Sequence, residues 1–281
     1  MLGYGIMAAE VMGKGSGREK SMKLLAVGDI VGEPGLRTLE KRLRALKRYY
    51  GVDFTVVNGE NASMTGITPE QADRIFAAGA DVVTLGNHVW NRRQIVPYME
   101  DNRYLLRPAN LAPQLPGEGF GVYDARGWRL LVMNLIGRCG MEFGPDNPFL
   151  AADRILRALE GKYDLAVCEI HADATSEKLA MGYYLDGRCA AVWGTHTHVQ
   201  TADERVNPNG TGYLTDLGMT GPLWSVLGVE PRQSIAMFRG DLTERFRPAS
   251  GECALAGAVF EVDPASGKCS HVERVFDRVE G

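Results

Sequence analysis

The 281-residue chain has little cysteine, little histidine and little net charge. Its five cysteines (Cys139, Cys168, Cys189, Cys253, Cys269) form no C-x-x-C pair and no regular spacing, which excludes a disulfide framework. Cys168 and Cys189 lie in apolar strand-like runs, where a thiol acts as a small hydrophobe. An odd cysteine count without a secretion signal points to a reducing cytoplasm. A formal net charge of −4 provides no global basic field for nucleic acid, although a local patch would still be possible. The apolar opening "MLGYGIMAAEVM" is too short to span a bilayer and has no basic segment before it, so neither a membrane span nor a targeting signal is expected. Residues 1–21 read as a disordered extension or an over-called start, and residues 22–281 as one domain, with no linker, repeat or low-complexity segment dividing them. There is no G-x-S-x-G and no cysteine beside a motif histidine, so covalent catalysis has no support. The glycine-rich "GKGSG" at 13–17 follows no strand and is not a phosphate loop.

What is present is an alternation of strand and helix patterns. Apolar runs at 23–28, 53–58, 81–85, 129–135, 164–170 and 189–194 predict strands. Leu36, Leu39, Leu43 and Leu46 form one stripe behind Pro34 and predict a helix over 35–48. Thr68-Pro69 opens a second helix ending near Gly79, and others are expected at about 147–160 and 175–186. "GVYDARGWRLLVMNL" and "GAVFEVDPASGKCSHVERV" read as hairpins, the second turning at Pro264-Ala265-Ser266-Gly267. The pattern implies mixed sheets covered by helices.

Polar residues gather where the apolar strands end. Gly28-Asp29, Asn58-Gly59-Glu60-Asn61, Gly86-Asn87-His88, Glu169-Ile170-His171 and His196-Thr197-His198 are five such ends, and they hold four of the chain's five histidines. Ligands of open α/β sheets bind outside the carboxyl ends of the strands. Taken singly, Asp29, Asn61 and Asn87 would be turn or cap residues, and His171 a hydrogen-bonded core histidine. Glu60 has no helix to cap. Jointly, carboxylate, amide and imidazole suit divalent first-row metals. Asp29, Glu60, Asn61, Asn87, His171, His196 and His198 make seven donors, more than one ion needs, which favours two ions bridged by Glu60. Such a pair suits in-line displacement at phosphorus. In an extended chain His196 and His198 would face one side, roughly 6.5–7 Å apart. Seven donors favour one histidine per ion, with Thr197 pointing away between them.

In this order, "GDIVGEPG", "NGENAS", "GNHVW", "EIHADATSEK" and "GTHTHVQTAD" resemble the calcineurin-like metallophosphoesterases, most closely their bacterial YmdB-type branch, over about residues 22–276. Two departures from the wider superfamily, Ile30-Val31 after Asp29 in place of D-x-H and Glu60 in place of a bridging Asp, are typical of that branch. Glu169 and Asp173 read as acid-for-acid variation around His171, without effect on the metal site. The resemblance implies a four-layer αββα sandwich, two mixed β-sheets flanked by helices. It implies one ion held by Asp29, Glu60, Asn61 and His198, and another by Glu60, Asn87, His171 and His196. His88 would bind no metal but would donate a proton to the leaving oxygen.

The implied activity is hydrolysis of cyclic nucleotides, 2′,3′-cyclic above all and 3′,5′-cyclic in addition, with two ions of Fe, Mn or Zn. The partners expected are a small-molecule cyclic nucleotide, RNA or RNA-processing proteins, and further copies of the chain, in the cytoplasm and with no membrane. Substrate contacts are sought in the loop 215–230, around Met219, Thr220 and Gly221, and in 106–111, although both could be ordinary connections. His271 reads as structural. Two alternatives remain: a phosphomonoesterase (a protein phosphatase or nucleotidase), and a regulatory or RNA-binding protein with a structural metal site.

Overall fold

The computed structural model describes residues 21–142, 144–242 and 244–279, so the expected N-terminal extension lies outside the described residues but for Ser21. The first apolar run folds as β1 (Met22–Val27), followed by a short β2 (Asp29–Ile30). The leucine stripe becomes the buried face of α1 (Gly32–Tyr50), which Gly51 ends in the left-handed conformation at φ 67°. Next come β3 (Phe54–Asn58), α2 (Pro69–Ala78), β4 (Val82–Thr84), α3 (Ile95–Asp101) and β5 (Leu105–Leu106). Thr68 caps α2 in a reciprocal box with Gln71, with Pro69 in the first turn.

The second half begins with the predicted hairpin of β6 (Phe120–Ala125) and β7 (Trp128–Ile136). It continues through α4 (Pro148–Ala158), β8 (Leu165–His171), α5 (Thr175–Tyr184), β9 (Ala191–Thr195), β10 (Arg205–Val206), β11 (Gly212–Leu214) and β12 (Met219–Pro222). After α6 (Pro231–Arg239), β13 (Cys253–Asp263) and β14 (Lys268–Val279) form the second predicted hairpin.

Two mixed sheets result. One runs β2-β12-β13-β1-β3-β4-β5 with β14 on β13, and the other runs β10-β11-β9-β8-β7-β6. Strand alternation sorts the apolar side chains into three layers. Leu25, Val27, Val57 and Val83 pack against α1, α2 and α3; Leu24, Ala26, Val56, Val132, Val167 and Trp193 meet between the sheets; Leu131, Met133, Cys168 and Val192 pack against α4 and α5. The order is helix, sheet, sheet, helix, as expected. Burying each leucine of the α1 stripe stabilises the fold by roughly 1.5–3 kcal/mol.

Two segments in which substrate contacts are sought are more ordered than loops. Met219–Pro222 is strand rather than loop: it pairs with β2 and β13, and Thr220 is fully buried, its hydroxyl accepting from the Ala256 amide. In 106–111, Arg107 and Asn110 are buried and bound to backbone carbonyls, which ties the chain down there.

The sheets are also joined by a polar contact. Glu169 on β8 is fully buried, and its carboxylate reaches across to β3 and β4. Oε1 accepts from Asn58 Nδ2 (2.7 Å) and Thr195 Oγ1 (2.9 Å); Oε2 accepts from Thr84 Oγ1 (2.7 Å) and Trp193 Nε1 (3.2 Å). Four donors satisfy a group that would otherwise be costly to bury. Glu169→Gln keeps the shape but turns an amide NH2 toward two of these donors. We expect it to lower unfolding free energy by about 1–3 kcal/mol, read as a lower urea midpoint at unchanged slope. A loss below about 0.5 kcal/mol would show that the network is dispensable.

Candidate metal centre

The strand ends of both sheets converge on the seven expected donors. Asp29 is on β2, Glu60 and Asn61 follow β3, Asn87 and His88 follow β4, His171 ends β8, and His196 and His198 follow β9. His171 Nε2 stands 3.1 Å from Glu60 Oε1, 2.9 Å from Asn87 Oδ1 and 3.1 Å from His196 Nδ1. Asn61 Nδ2 stands 3.1 Å from His198 Nε2 and 3.2 Å from Glu60 Oε1, and Asp29 Oδ1 lies 3.8 Å from His198 Nε2. Glu60 therefore lies between two groups, Asn87–His171–His196 and Asp29–Asn61–His198. Glu60, His171 and His196 each offer a ligand atom within 4.8 Å of the others.

The donor set fits divalent cations. Among the described residues, Asp29 Oδ1 and Asn61 Oδ1 are buried without a hydrogen-bond partner, and both belong to the second group. Such orphaned oxygens are costly unless a cation or water meets them. Nitrogen and oxygen donors about 3 Å apart match neighbouring ligands on one ion with bonds of roughly 2.0–2.2 Å. Gly86 makes this closeness possible: a Cβ there would lie 2.3 Å from both Glu60 Oε2 and His171 Nε2.

His88 sits at the edge of the cluster. Its backbone N–H donates to Glu60 Oε2 (3.2 Å), and its ring Nδ1 is 3.1 Å from Asn91 Nδ2. It is half-buried. His271 is exposed on β14 opposite Glu261 and takes no part in the cluster. A cavity of about 520 Å³ adjoins the cluster behind His198, with Met219, Gly221, Leu227 and Phe276 in its wall.

The extended geometry expected for His196 and His198 is not found. Both occupy the left-handed region, at φ 99° and 64°. That conformation strains a side-chain-bearing residue by about 1–3 kcal/mol and persists only where the surroundings enforce it. Asp216, buried and unnoticed in the sequence, supplies the enforcement. Its Oδ2 accepts from Thr197 N (3.2 Å) and Thr197 Oγ1 (2.7 Å), and its Oδ1 from Gly218 N (2.8 Å). Lys178, 1% exposed, donates to Asp216 Oδ2 (2.8 Å) and to the Thr195 carbonyl (3.3 Å). Thr197 does point away from the cluster, toward this buried ion pair. Lys178 lies in "EIHADATSEK" and Asp216 in the 215–230 segment, but nothing in their spacing announces that they meet.

Electrostatics follow from burial and crowding. Burial pushes the Asp29 carboxyl well above its ordinary range; His171 opposes that, while Glu60 and Asp216 add to it. Burial also works against the charged forms of Glu60 and His171, but their mutual attraction wins, lowering Glu60 to about 2 and raising His171 to about 9. Burial and then the charge of His171 lower His196 to about 4, and burial lowers His198.

Comparison with known proteins gives a consistent picture. A family model described as YmdB-like protein matches residues 25–275. The 2′,3′-cyclic-nucleotide 2′-phosphodiesterase of Bacillus subtilis (strain 168) is 42% identical over 258 residues, 91% of this chain and 97% of that protein. A hypothetical protein from Thermus thermophilus superposes with a TM-score of 0.85 at 37% identity, covering 92% of this chain and 99% of its own. A novel phosphatase from Mycoplasma pneumoniae does so with a TM-score of 0.85 at 32% identity, covering 92% and 94%.

The metal-free cluster carries a pH signature. His171 stands above its unfolded value, so its contribution to stability is complete below about pH 6.5 and is lost as pH rises through about 9. Asp29, also raised, acts in the same direction from lower pH. The melting temperature of chelator-treated protein should therefore fall between pH 6.5 and 9, and His171→Asn should flatten that fall. Equal slopes in the two proteins would contradict the assignment.

Proposed function

The chain belongs to the YmdB-like protein family, and from that membership we propose that it is a metal-dependent phosphoric diester hydrolase acting on 2′,3′-cyclic nucleotides. The observation that carries the reading is the pairing of donor groups around Glu60, with a histidine beside them that is not itself in the donor cluster. The substrate class is supported by the activity for which the Bacillus subtilis relative is named.

Asp29, Asn61 and His198 would hold one ion, Asn87, His171 and His196 the other, with Glu60 between them. A half-turn of the Asn61 amide exchanges Nδ2 for the orphaned Oδ1 on the side facing Glu60 and His198. Two divalent ions of Fe, Mn or Zn would supply Lewis acidity toward the phosphoryl oxygens and a nucleophile from water at neutral pH.

The chain's own residues do the rest. His88 is anchored beside the donors through its backbone N–H to Glu60, and its ring meets the Asn91 amide. Asn91 serves either state of that ring: Nδ2 donates to a neutral Nδ1, and after an amide flip Oδ1 accepts from a protonated one. Nε2 then carries the proton that passes to the ribose oxygen as its bond to phosphorus breaks. One water is consumed, and the cyclic diester opens to a monoester and a free hydroxyl. Such general acid catalysis contributes roughly 10²–10⁴-fold.

A phosphomonoesterase remains the second reading, favoured by the description of the Mycoplasma pneumoniae structure as a phosphatase. Stripped protein reloaded with Mn²⁺, Fe²⁺ or Zn²⁺ should open 2′,3′-cyclic nucleotides much faster than it hydrolyses p-nitrophenyl phosphate. The reverse preference would establish the monoesterase, and RNA binding without turnover of any phosphoester would establish a regulatory protein. His88→Ala should keep its full metal content and lose roughly 10²–10⁴-fold in kcat on ribose-leaving substrates, with a smaller loss on bis(p-nitrophenyl) phosphate. Metal lost in step with activity would make His88 a ligand.

A further inference from the structure

One polar chain connects the inter-sheet contact to the cluster. His171 Nδ1, the ring nitrogen facing away from the other donors, lies 2.9 Å from Thr195 Oγ1. Thr195 Oγ1 in turn donates to Glu169 Oε1 at 2.9 Å. All four groups that Glu169 accepts from are donors here, and two of them, Asn58 Nδ2 and Trp193 Nε1, can do nothing else. The hydroxyl of Thr195 therefore spends its single proton on Glu169 and offers His171 only lone pairs. His171 must donate Nδ1–H to it, which leaves Nε2 to face Glu60, Asn87 and His196.

We infer that Thr195 and Glu169 are positioning residues that fix the orientation and tautomer of His171 and so set the affinity of one of the two ions. The inference rests on the metal centre proposed above. His171, Thr195 and Glu169 are all fully buried, so no solvent competes for these hydrogen bonds. Asn58 and Thr84 bring the first sheet into the same chain, so the second sheet's histidine is aligned by groups on both sheets. His198 contrasts with it: its Nδ1 has the Leu227 carbonyl at 3.3 Å, on a half-exposed residue in the segment between β12 and α6. Outer partners of metal-bound histidines typically change affinity by roughly 10–100-fold when removed.

Thr195→Val removes the hydroxyl with little change of shape, and Thr195→Ser keeps it. Calorimetric titration of stripped protein with Mn²⁺ should show one of two sites weakened by roughly 10–100-fold in Thr195→Val, with the other site little changed; the metal-free melting temperature should fall too, because Glu169 loses one of its donors. Thr195→Ser should bind like the wild type. In Zn²⁺-loaded, 15N-histidine-labelled protein, the Nδ1–H resonance of His171 should be present and protected from solvent exchange in the wild type and in Thr195→Ser, and lost in Thr195→Val. Wild-type affinity at both sites in Thr195→Val would overturn the inference, as would Thr195→Ser losing as much as Thr195→Val. A wild type that binds neither Mn²⁺ nor Zn²⁺ would overturn the metal centre itself, and the inference with it.

Discussion

The site depends on how far apart the two sheets stand where their strands end, and one buried carboxylate governs that distance. Apolar side chains fill the space between sheets but fix their separation only loosely, because packing is non-directional. Glu169 adds directional contacts, each of its oxygens taking one donor from each sheet. In a medium of low dielectric such bonds are strong when complete and costly when broken, so the network tolerates little drift. The donor cluster one turn of the pleat beyond it, at His171, inherits that precision.

The second constraint lies in the backbone. A relaxed strand end would let the segment after β9 continue extended, and the two histidines would then splay along one face. Instead Lys178 and Asp216 draw Thr197 inward and turn the chain through two left-handed residues. A buried ion pair gives little net stability, since desolvation offsets most of its attraction. What this pair gives is a conformation that apolar packing would not select.

The features legible in the sequence were those written over short distances. The α1 leucine stripe, the helix opened by Thr68-Pro69 and both hairpins rest on spacings of a few residues, and all appear in the structure. The seven donors were legible as chemistry out of place at strand ends. Their grouping depended on which strands neighbour one another, and no periodicity encodes that. Glu169 looked like an acidic variation beside His171. Its i, i+2 relation to that histidine already put both on the same face of β8, but only the partners on β3, β4 and β9 show what it does. Nothing in the sequence around Gly86 marks its role, whereas its missing side chain is what admits Glu60 and His171 together. Met219–Pro222 misled because glycine and proline suggest a loop, yet the segment is short enough to be a strand between two partners.

The left-handed histidines have a further consequence. At φ 99° and 64°, glycine would hold the same backbone with no steric penalty, and asparagine with less than most residues. Met64, Arg126 and Leu227 share that region among the described residues, but at His196 and His198 a substitution that relaxes the chain also removes a side chain facing the donor cluster. A selection for heat resistance alone would drift toward such changes and, under the proposed metal centre, remove a metal donor with each. Under that proposal robustness and activity compete at individual torsion angles, and a library meant to improve both would leave residues 196 and 198 untouched.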